Sequence, residues 1–170
     1  QIALLVAVIA GTLTCLIGAT LGLLAGFLRG WVDVVISRAI DIWMAFPPVR
    51  FSILLIAVMG PGLVSIIVAI VVIDWTRFAR VVRAEAMAQG AMDYVSSAQV
   101  SGRGRISTML TEILPNVLPT IVVLLTLEMG IAVIVEAILS FVNLSISTDD
   151  PTWGGMIGEG RSSIHQAWWV

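Results

Sequence analysis

Only two residues of this chain belong to the types that most often do redox or metal chemistry. The 170-residue sequence has one cysteine, Cys15, inside an apolar run, and one histidine, His165. A lone cysteine cannot form an internal disulfide, and its small apolar side chain suits packing better than a redox role. Because no second histidine or cysteine lies near His165, the sequence does not indicate a metal site. We expect no catalytic residue, no metal and no cofactor bound by this chain.

A phosphate-binding loop is also absent from the sequence. No stretch fits the pattern G-x-x-x-x-G-K-[S/T], and the nine basic residues are all arginines. The chain therefore does not hydrolyse ATP by the chemistry of that loop. The energy for any transport must enter through a partner or an ion gradient.

The composition favours an integral membrane protein. The sequence is 59% hydrophobic and 12% charged, whereas an average soluble domain is about 25% charged. The net charge of -2 gives no polybasic surface of the kind that binds nucleic acid. We predict an all-α polytopic helical bundle, with about four complete transmembrane helices at about 2–28, 35–58, 63–82 and 117–142. Because the sequence starts and stops in apolar stretches, we expect the domain to be truncated at both ends.

Small residues and prolines predict the shape of the first two spans. Gly18, Gly22 and Gly26 are four residues apart and so lie near one helix face. Such a stripe lets another helix backbone approach closely. The motif FPP at 46–48 predicts a kink or a broken helix in the second span.

The third span has a short uninterrupted apolar run, which covers only 63–73. That length also fits a re-entrant segment. We favour one long helix that leaves the membrane, with Arg77, Arg80 and Arg83 reaching the interface. With four crossings, the turn between the first and second spans and the one between the third and fourth lie on the same side of the membrane. Both turns are rich in arginine, and we therefore assign this side to the cytoplasm. Residues 143–166, including Asp149 and Asp150, become an external loop with one short helix.

Among the charged residues inside the predicted spans, Arg50, Asp74 and Glu128 are expected far from the membrane surface, whereas Asp41 is expected nearer the cytoplasm and Glu136 near the outer interface. An unpaired charge there costs several kcal/mol, so such residues are usually functional. We assign the first three to a translocation pathway as a hypothesis. Arg50 and Glu128 lie at similar predicted depth, about 18–22 Å from the cytoplasmic end, and an ion pair between them is one way to satisfy both.

The stretch at about 90–115 predicts a cytoplasmic helix–turn–helix elbow. Gly102 fits the position just after a helix, where a left-handed backbone favours glycine. Beyond it, apolar residues, among them Ile106, Met109 and Leu110, recur at helical spacing, which predicts an amphipathic helix. Its apolar face can be covered by the spans, by the lipid surface or by a cytoplasmic partner. Pro115 and Pro119 mark its junction with the fourth span. A solvated loop with an interfacial helix explains the same pattern.

These residues also carry a resemblance to a known family. The segment RVVRAEAMAQGAMDYVSSAQVSGRGRISTMLTEILPNVLP resembles the cytoplasmic EAA loop of ATP-binding-cassette (ABC) importer permeases, most closely the dipeptide, oligopeptide and nickel branch. The motifs AFPP, GPG, ARVVRAE, ILPNVLP, EAILSF and PTWGGMIGEGR follow in the order of that branch. Three residues depart from the motif of the family. Ser96 replaces its glutamate, Ser97 replaces its first alanine, and Glu112 occupies a position that is usually apolar.

The resemblance implies a permease subunit of a binding-protein-dependent importer, by default for di- or oligopeptides, in the cytoplasmic (inner) membrane of a bacterium or archaeon. Nickel or another small solute is the alternative substrate. The implied partners are a homologous second permease subunit, two ATPase subunits that bind ATP and Mg, an extracytoplasmic solute-binding protein and membrane lipids. The resemblance makes the elbow a coupling helix on the ATPase, with Ile106, Met109 and Leu110 packing its second helix back on the spans. The residues that this assigns to coupling are Tyr94, Val95, Ser96, Ser97, Ala98, Gly102, Arg103, Leu114 and Pro115.

Two hypotheses of other classes remain open at this point. The in-span charges also suit a gradient-driven secondary transporter or channel. A non-transporting membrane scaffold is the third hypothesis. Arg103 and Arg105 suit contacts to an acidic rim or to lipid headgroups, or only the setting of membrane orientation. Trp153 and the Trp168–Trp169 pair suit anchoring at the membrane interface.

Overall fold

The computed structural model describes residues 2–141 and 152–163, and every regular element within these ranges is a helix. The all-α prediction is therefore confirmed. The helices are α1 (Ile2–Leu28), α2 (Gly30–Met44), α3 (Pro48–Met59), α4 (Leu63–Gln89), α5 (Asp93–Val100), α6 (Arg105–Thr108), α7 (Leu114–Phe141) and α8 (Trp153–Ser163), with a π-helical segment, Met109–Ile113, between α6 and α7.

Two helical stretches of the described residues are long and apolar enough to cross a membrane. They are α1 and the continuous helix Arg105–Phe141, and α2 with α3 would add a third if the two form one broken span. Charges at Asp74, Arg77 and Arg80 interrupt the apolar sequence of α4. The crossing of the membrane by α4 stays a prediction, although its continuity as one helix from Leu63 to Gln89 is confirmed.

The predicted break in the second segment is confirmed, and prolines explain it. Helix α2 ends at Met44, and Pro47 has an extended backbone with φ -64° and ψ 120°. Residues before a proline disfavour the helical conformation, which stops α2. Pro48 then opens α3 at its first position, where the missing N–H is not needed.

The last long helix differs from the prediction, because Pro115 and Pro119 do not mark a junction. The helix runs without interruption from Arg105 to Phe141. Its π-helical segment lies just before the prolines, and the N–H of Leu114 donates to the carbonyl oxygen of Met109, five residues back. A wide turn of this kind accommodates residues that fit poorly into a regular α-helical ladder.

The chain divides into two compact units, and each has a hydrophobic core. The first unit comprises the described parts of Gln1–Thr12, Pro47–Ile73 and Leu127–Val170. Its core is built mainly from aliphatic side chains, among them Val6, Ile56, Ile66, Ile70 and Leu139. The second unit comprises Leu13–Phe46 and Asp74–Thr126. Its core includes Leu23, Phe78, Val82, Val95, Met109, Ile113 and Val117.

Close backbone approach between α1 and α4 organises the second unit. A β-carbon added at Gly18 would lie 2.4 Å from the Cβ of Phe78, and one at Gly26 would lie 2.6 Å from the carbonyl oxygen of Arg83. A β-carbon added at Gly22 would lie 2.7 Å from the carbonyl oxygen of Ala79 in α4. No real side chain tolerates these distances, so the predicted role of the glycine stripe is confirmed.

Candidate functional site

The candidate site is the elbow formed by α5, the turn after it and the start of the next helix. Gly102 has φ +85°, in the left-handed region. Its N–H donates to the carbonyl oxygen of Gln99 at 3.0 Å, and the N–H of Arg103 donates to that of Ala98 at 3.2 Å. This pair of bonds is the Schellman motif that ends helices on a glycine. The predicted turn at Gly102 is confirmed.

One side of α5 points into the protein. Val95 is 1% exposed and belongs to the core of the second unit together with Phe78 and Ile113. The sequence assigned Val95 to partner docking, but its burial makes it the anchor of α5. Tyr94 is half-buried, and Ala98 and Leu114 are also partly covered.

The opposite side of α5 is open. Met92, Ser96 and Val100 recur every four residues, and all are exposed. Val100 is 90% exposed and Met92 48%. Ser96 and Val100 are four residues apart within α5 and share one face of the helix, whereas Met92 lies just before α5 and has an extended backbone. We call these three exposed residues the outer face. Sequence reasoning missed Val100, although a valine at this spacing from Ser96 was the available signal.

The start of the second helix departs from its predicted packing. Met109 is buried at 8%, as expected, but Ile106 is 66% and Leu110 50% exposed. The prediction that those two pack against the spans is wrong. The buried residues are instead spaced by four through the π-helical segment, at positions 109, 113, 117 and 121. The wider turn changes which residues face inward, and a regular helical pattern does not anticipate it.

Arg103 and Glu112 pair across the elbow. Nη1 of Arg103 donates to a carboxylate oxygen of Glu112 and also to Oγ1 of Thr111 at 2.8 Å. The charge at Glu112, which departs from the usual apolar residue, therefore has a partner within the elbow. Arg105 is exposed, and the described residues give it no ion pair. The prediction of an acidic or lipid contact for either arginine stays untested.

A chain of hydrogen bonds runs through Tyr94. Its hydroxyl donates to Oε1 of Gln89 at 2.8 Å and accepts from Nδ2 of Asn116 at 3.3 Å. Nε2 of Gln89 donates to Oε1 of Glu85 at 2.9 Å. Nδ2 of Asn116 also donates to the carbonyl oxygen of Glu112 at 2.7 Å. The chain joins the end of α4 to α5 and to the beginning of α7.

The remaining residues assigned to coupling lie at the surface. The Ser97 hydroxyl donates to the carbonyl oxygen of Asp93 at 2.9 Å, within its own helix. Ser96 and Pro115 are exposed. Exposure on the elbow is compatible with docking, but these positions carry no contact that assigns them a role.

Two ion pairs between α2 and α4 were not predicted from the sequence. Nε of Arg83 donates to Oδ1 of Asp33, and Nη2 donates to Oδ2 at 2.9 Å. Nη2 of Arg80 lies 3.2 Å from Oδ1 of Asp41. The partners are many residues apart in the chain, so only the packing of α2 on α4 brings them together. The spacing of Arg80 and Arg83 had predicted side chains that reach the membrane interface and set the orientation of the chain.

The three in-span charges are not joined as hypothesised. Arg50 is exposed and has no ion pair among the described residues, whereas Glu128, in the same unit, is 1% exposed. The Arg50–Glu128 pair is therefore not formed. Asp74, in the second unit, is 7% exposed and lies 3.5 Å from Nη2 of Arg77. Their assignment to a pathway stays a prediction.

The short helix expected after the fourth span is α8, and its start packs on the end of α7. Oγ1 of Thr152 accepts from the N–H of Gly155 at 3.1 Å, which caps the helix. A β-carbon at Gly154 would lie 2.1 Å from the carbonyl oxygen of Ala137. Trp153 is 54% exposed. Asp149, Asp150, His165 and the Trp168–Trp169 pair lie outside the described residues.

No group of three or more histidine, cysteine, aspartate or glutamate side chains suited to a metal occurs within 2–141 and 152–163. The elbow presents the exposed residues of the outer face and a hydrogen-bonded linkage between three helices.

Comparison with known proteins gives a consistent result. Residues 18–167 match the profile of the family described as binding-protein-dependent transport system inner membrane component. A glutathione transport system permease protein of Pectobacterium atrosepticum is 36% identical over 149 residues, which cover 88% of this chain and 50% of the relative. A di/tripeptide transport system permease protein of Pseudomonas aeruginosa is 32% identical over 170 residues, 100% of this chain and 56% of the relative. A dipeptide transport system permease protein of Alkalihalophilus pseudofirmus is 34% identical over 170 residues, with the same coverage. The chain spans about half the length of these curated relatives.

Proposed function

This chain belongs to the family of binding-protein-dependent transport system inner membrane components, and we propose that it is part of the permease subunit of an ATP-driven importer of short peptides. The permease resides in a bacterial cytoplasmic membrane. The elbow docks on a cytoplasmic ATPase, and a homologous second permease subunit and a solute-binding protein complete the transporter. ATP and Mg bind to the ATPase subunits.

The observation that carries this proposal is the outer face of the elbow. Ser96 and Val100 are exposed on one side of α5, next to the exposed Met92 that precedes the helix, while Val95 holds the other side in the core. Exposed apolar side chains at both ends of a helix that is too short and too polar to cross a membrane, Met92 at 48% and Val100 at 90%, suit a protein partner. A helix seated in a groove contacts it through residues at such i, i+4 spacing.

Peptides are the substrate class that the relatives support. Three relatives are named as carriers of glutathione, di/tripeptides and dipeptides, and glutathione is itself a tripeptide. We assign the same class to this permease. Nickel or another small solute on the same architecture is the alternative outcome of an uptake assay.

Co-purification with the ATPase tests the docking of the elbow. The full-length permease is expressed with its ATPase subunits, and Val100→Glu is compared with the nearly isosteric Val100→Thr. We expect wild type and Val100→Thr to retain the ATPase. The amount of ATPase that co-purifies with Val100→Glu should fall at least ten-fold, because this substitution buries a charge in the contact. Equal retention by all three would show that the outer face is not the docking surface.

Uptake into proteoliposomes tests the activity. The complete transporter, with its solute-binding protein, should accumulate a labelled dipeptide only when ATP is inside the compartment that contains the ATPase. Accumulation that follows an imposed proton or sodium gradient without any ATPase would instead identify a gradient-driven transporter.

A further inference from the structure

We infer that Tyr94 is a positioning residue that links the elbow to α4 and to α7, so that a displacement of α5 moves both helices together. This inference rests on the proposed function, because it names the route by which movement at the elbow reaches the membrane-spanning part. The sequence had placed Tyr94 among the residues that touch the partner.

The first step is the position of the hydroxyl group. It lies between two side chains from different helices, Gln89 at the end of α4 and Asn116 near the start of α7. A phenolic hydroxyl has one proton to donate and can also accept. The Tyr94 hydroxyl donates to Gln89 at 2.8 Å and accepts from Asn116 at 3.3 Å. One atom of α5 thus meets both neighbours.

The second step is that both neighbours are themselves held. Gln89 donates to Glu85 one turn earlier on α4. Asn116 donates to the carbonyl oxygen of Glu112, which belongs to the π-helical segment. Each neighbour therefore has a second hydrogen bond besides the one to Tyr94, and a connected network is stiffer than its separate bonds.

The third step separates Tyr94 from the docking surface. The residues of the outer face, Ser96 and Val100, are exposed, whereas Tyr94 is half-buried and its hydroxyl is already bonded. The covalent connection from α4 to α5 is short, since α4 ends at Gln89 and α5 begins at Asp93. On the side of α7 the covalent connection is also short, since α5 ends at Val100 and the continuous helix Arg105–Phe141 begins five residues later. Val95 also shares a core with Ile113 and Val117 on that side. The bond between Tyr94 and Asn116 adds a direct polar contact between α5 and α7.

The test measures peptide imported per ATP hydrolysed by the complete transporter in proteoliposomes. Tyr94→Phe keeps the ring and removes the hydroxyl. The matched control is Thr126→Val, which removes a hydroxyl that donates to the carbonyl oxygen of Val123 within α7. We expect Tyr94→Phe to lower the ratio three-fold or more, with ATPase co-purification and melting temperature unchanged, and Thr126→Val to match wild type.

A second variant approaches the same bond from the other side. Asn116→Ala should lower the ratio of peptide imported to ATP hydrolysed by a similar factor. The double variant should be no worse than either single variant, because both substitutions remove the same hydrogen bond. An unchanged ratio in Tyr94→Phe overturns the inference. So does a lower ratio accompanied by loss of the ATPase, since Tyr94 would then be a docking residue. Failure of the wild type to bind the ATPase would instead refute the proposed function.

Discussion

Gly18 of α1 and Phe78 of α4 lie so close that a β-carbon at residue 18 would be 2.4 Å from the Cβ of Phe78. The same missing β-carbon would lie 2.5 Å from the carbonyl oxygen of Trp75. Because one of these obstacles is backbone, it cannot rotate away as the end of a flexible side chain can. The pair fixes the distance between two helices that carry much of the second unit's core.

Gly18→Ala is therefore expected to destabilise the protein by about 1–3 kcal/mol, the usual cost of overpacking. The matched control is Gly130→Ala in α7, where an added β-carbon meets nothing within 4 Å. That change should be neutral or stabilise by up to about 1 kcal/mol, because alanine favours helix more than glycine. Thermal or SDS-induced unfolding in detergent measures both. Equal stability of the two variants would contradict the close approach.

The two ion pairs between α2 and α4 should differ in strength. The side chains of Arg83 and Asp33 are 29% and 19% exposed and form two bonds, whereas those of Arg80 and Asp41 are 52% and 56% exposed. Double-mutant cycles should give a coupling of about 1.5–3 kcal/mol for the first pair and about 0–1 kcal/mol for the second. Unfolding of the single and double alanine variants supplies both values.

A change from Arg83 to Lys provides a further check on the first pair. Lysine keeps the charge but lacks the planar fork that reaches both carboxylate oxygens. We expect Arg83→Lys to lose a large part of the coupling to Asp33. If lysine retained all of it, the two-bond geometry would contribute nothing.

Substitutions in the turn of the elbow should show a backbone effect without a steric one. Gly102 has φ +85°, but an added β-carbon meets nothing within 4 Å. Gly102→Ala should cost about 1–2 kcal/mol, the penalty of a left-handed backbone for other residues. Gly104, with φ -65° and similar open space, is the control, and Gly104→Ala should change the unfolding free energy by under about 0.5 kcal/mol. Similar losses at both positions would argue against the left-handed turn.

The pair of Arg103 and Glu112 should stiffen the second half of the elbow. Removing the charge in Arg103→Gln should increase amide hydrogen exchange across α6 and the π-helical segment, because the bonds to Glu112 and Thr111 are lost. Exchanging the two charges, with Arg103→Glu and Glu112→Arg together, should restore part of the protection. Arg105→Gln is the control, since Arg105 has no ion pair among the described residues. Equal rates of hydrogen exchange in Arg103→Gln and Arg105→Gln would contradict the pairing.

Local rules predicted the features that depend on one segment of chain. The spacing of Gly18, Gly22 and Gly26 predicted a close contact between helices, and Gly102 predicted the turn. Both predictions depend only on properties of glycine itself, its small size and its access to a left-handed backbone. The prolines at 47 and 48 likewise announced the break after α2.

Sequence patterns did not predict the features that depend on contacts with a second, distant segment of the chain. Asp33 and Arg83 are 50 residues apart, and nothing in either helix alone selects the other as partner. Ile106 and Leu110 were misplaced because the π-helical turn changes the inward face, which a constant helical period cannot show. The Arg50–Glu128 hypothesis failed because similar depth in a membrane does not make two side chains neighbours.

The division of α5 into an anchored side and an open side has a consequence for how such transporters diversify. Residues 94 and 95 are committed to the fold, while positions 96, 97 and 100 are exposed and free to vary without disturbing it. On the proposed docking, substitutions at these three positions would change which ATPase subunit the permease binds and would leave the fold intact.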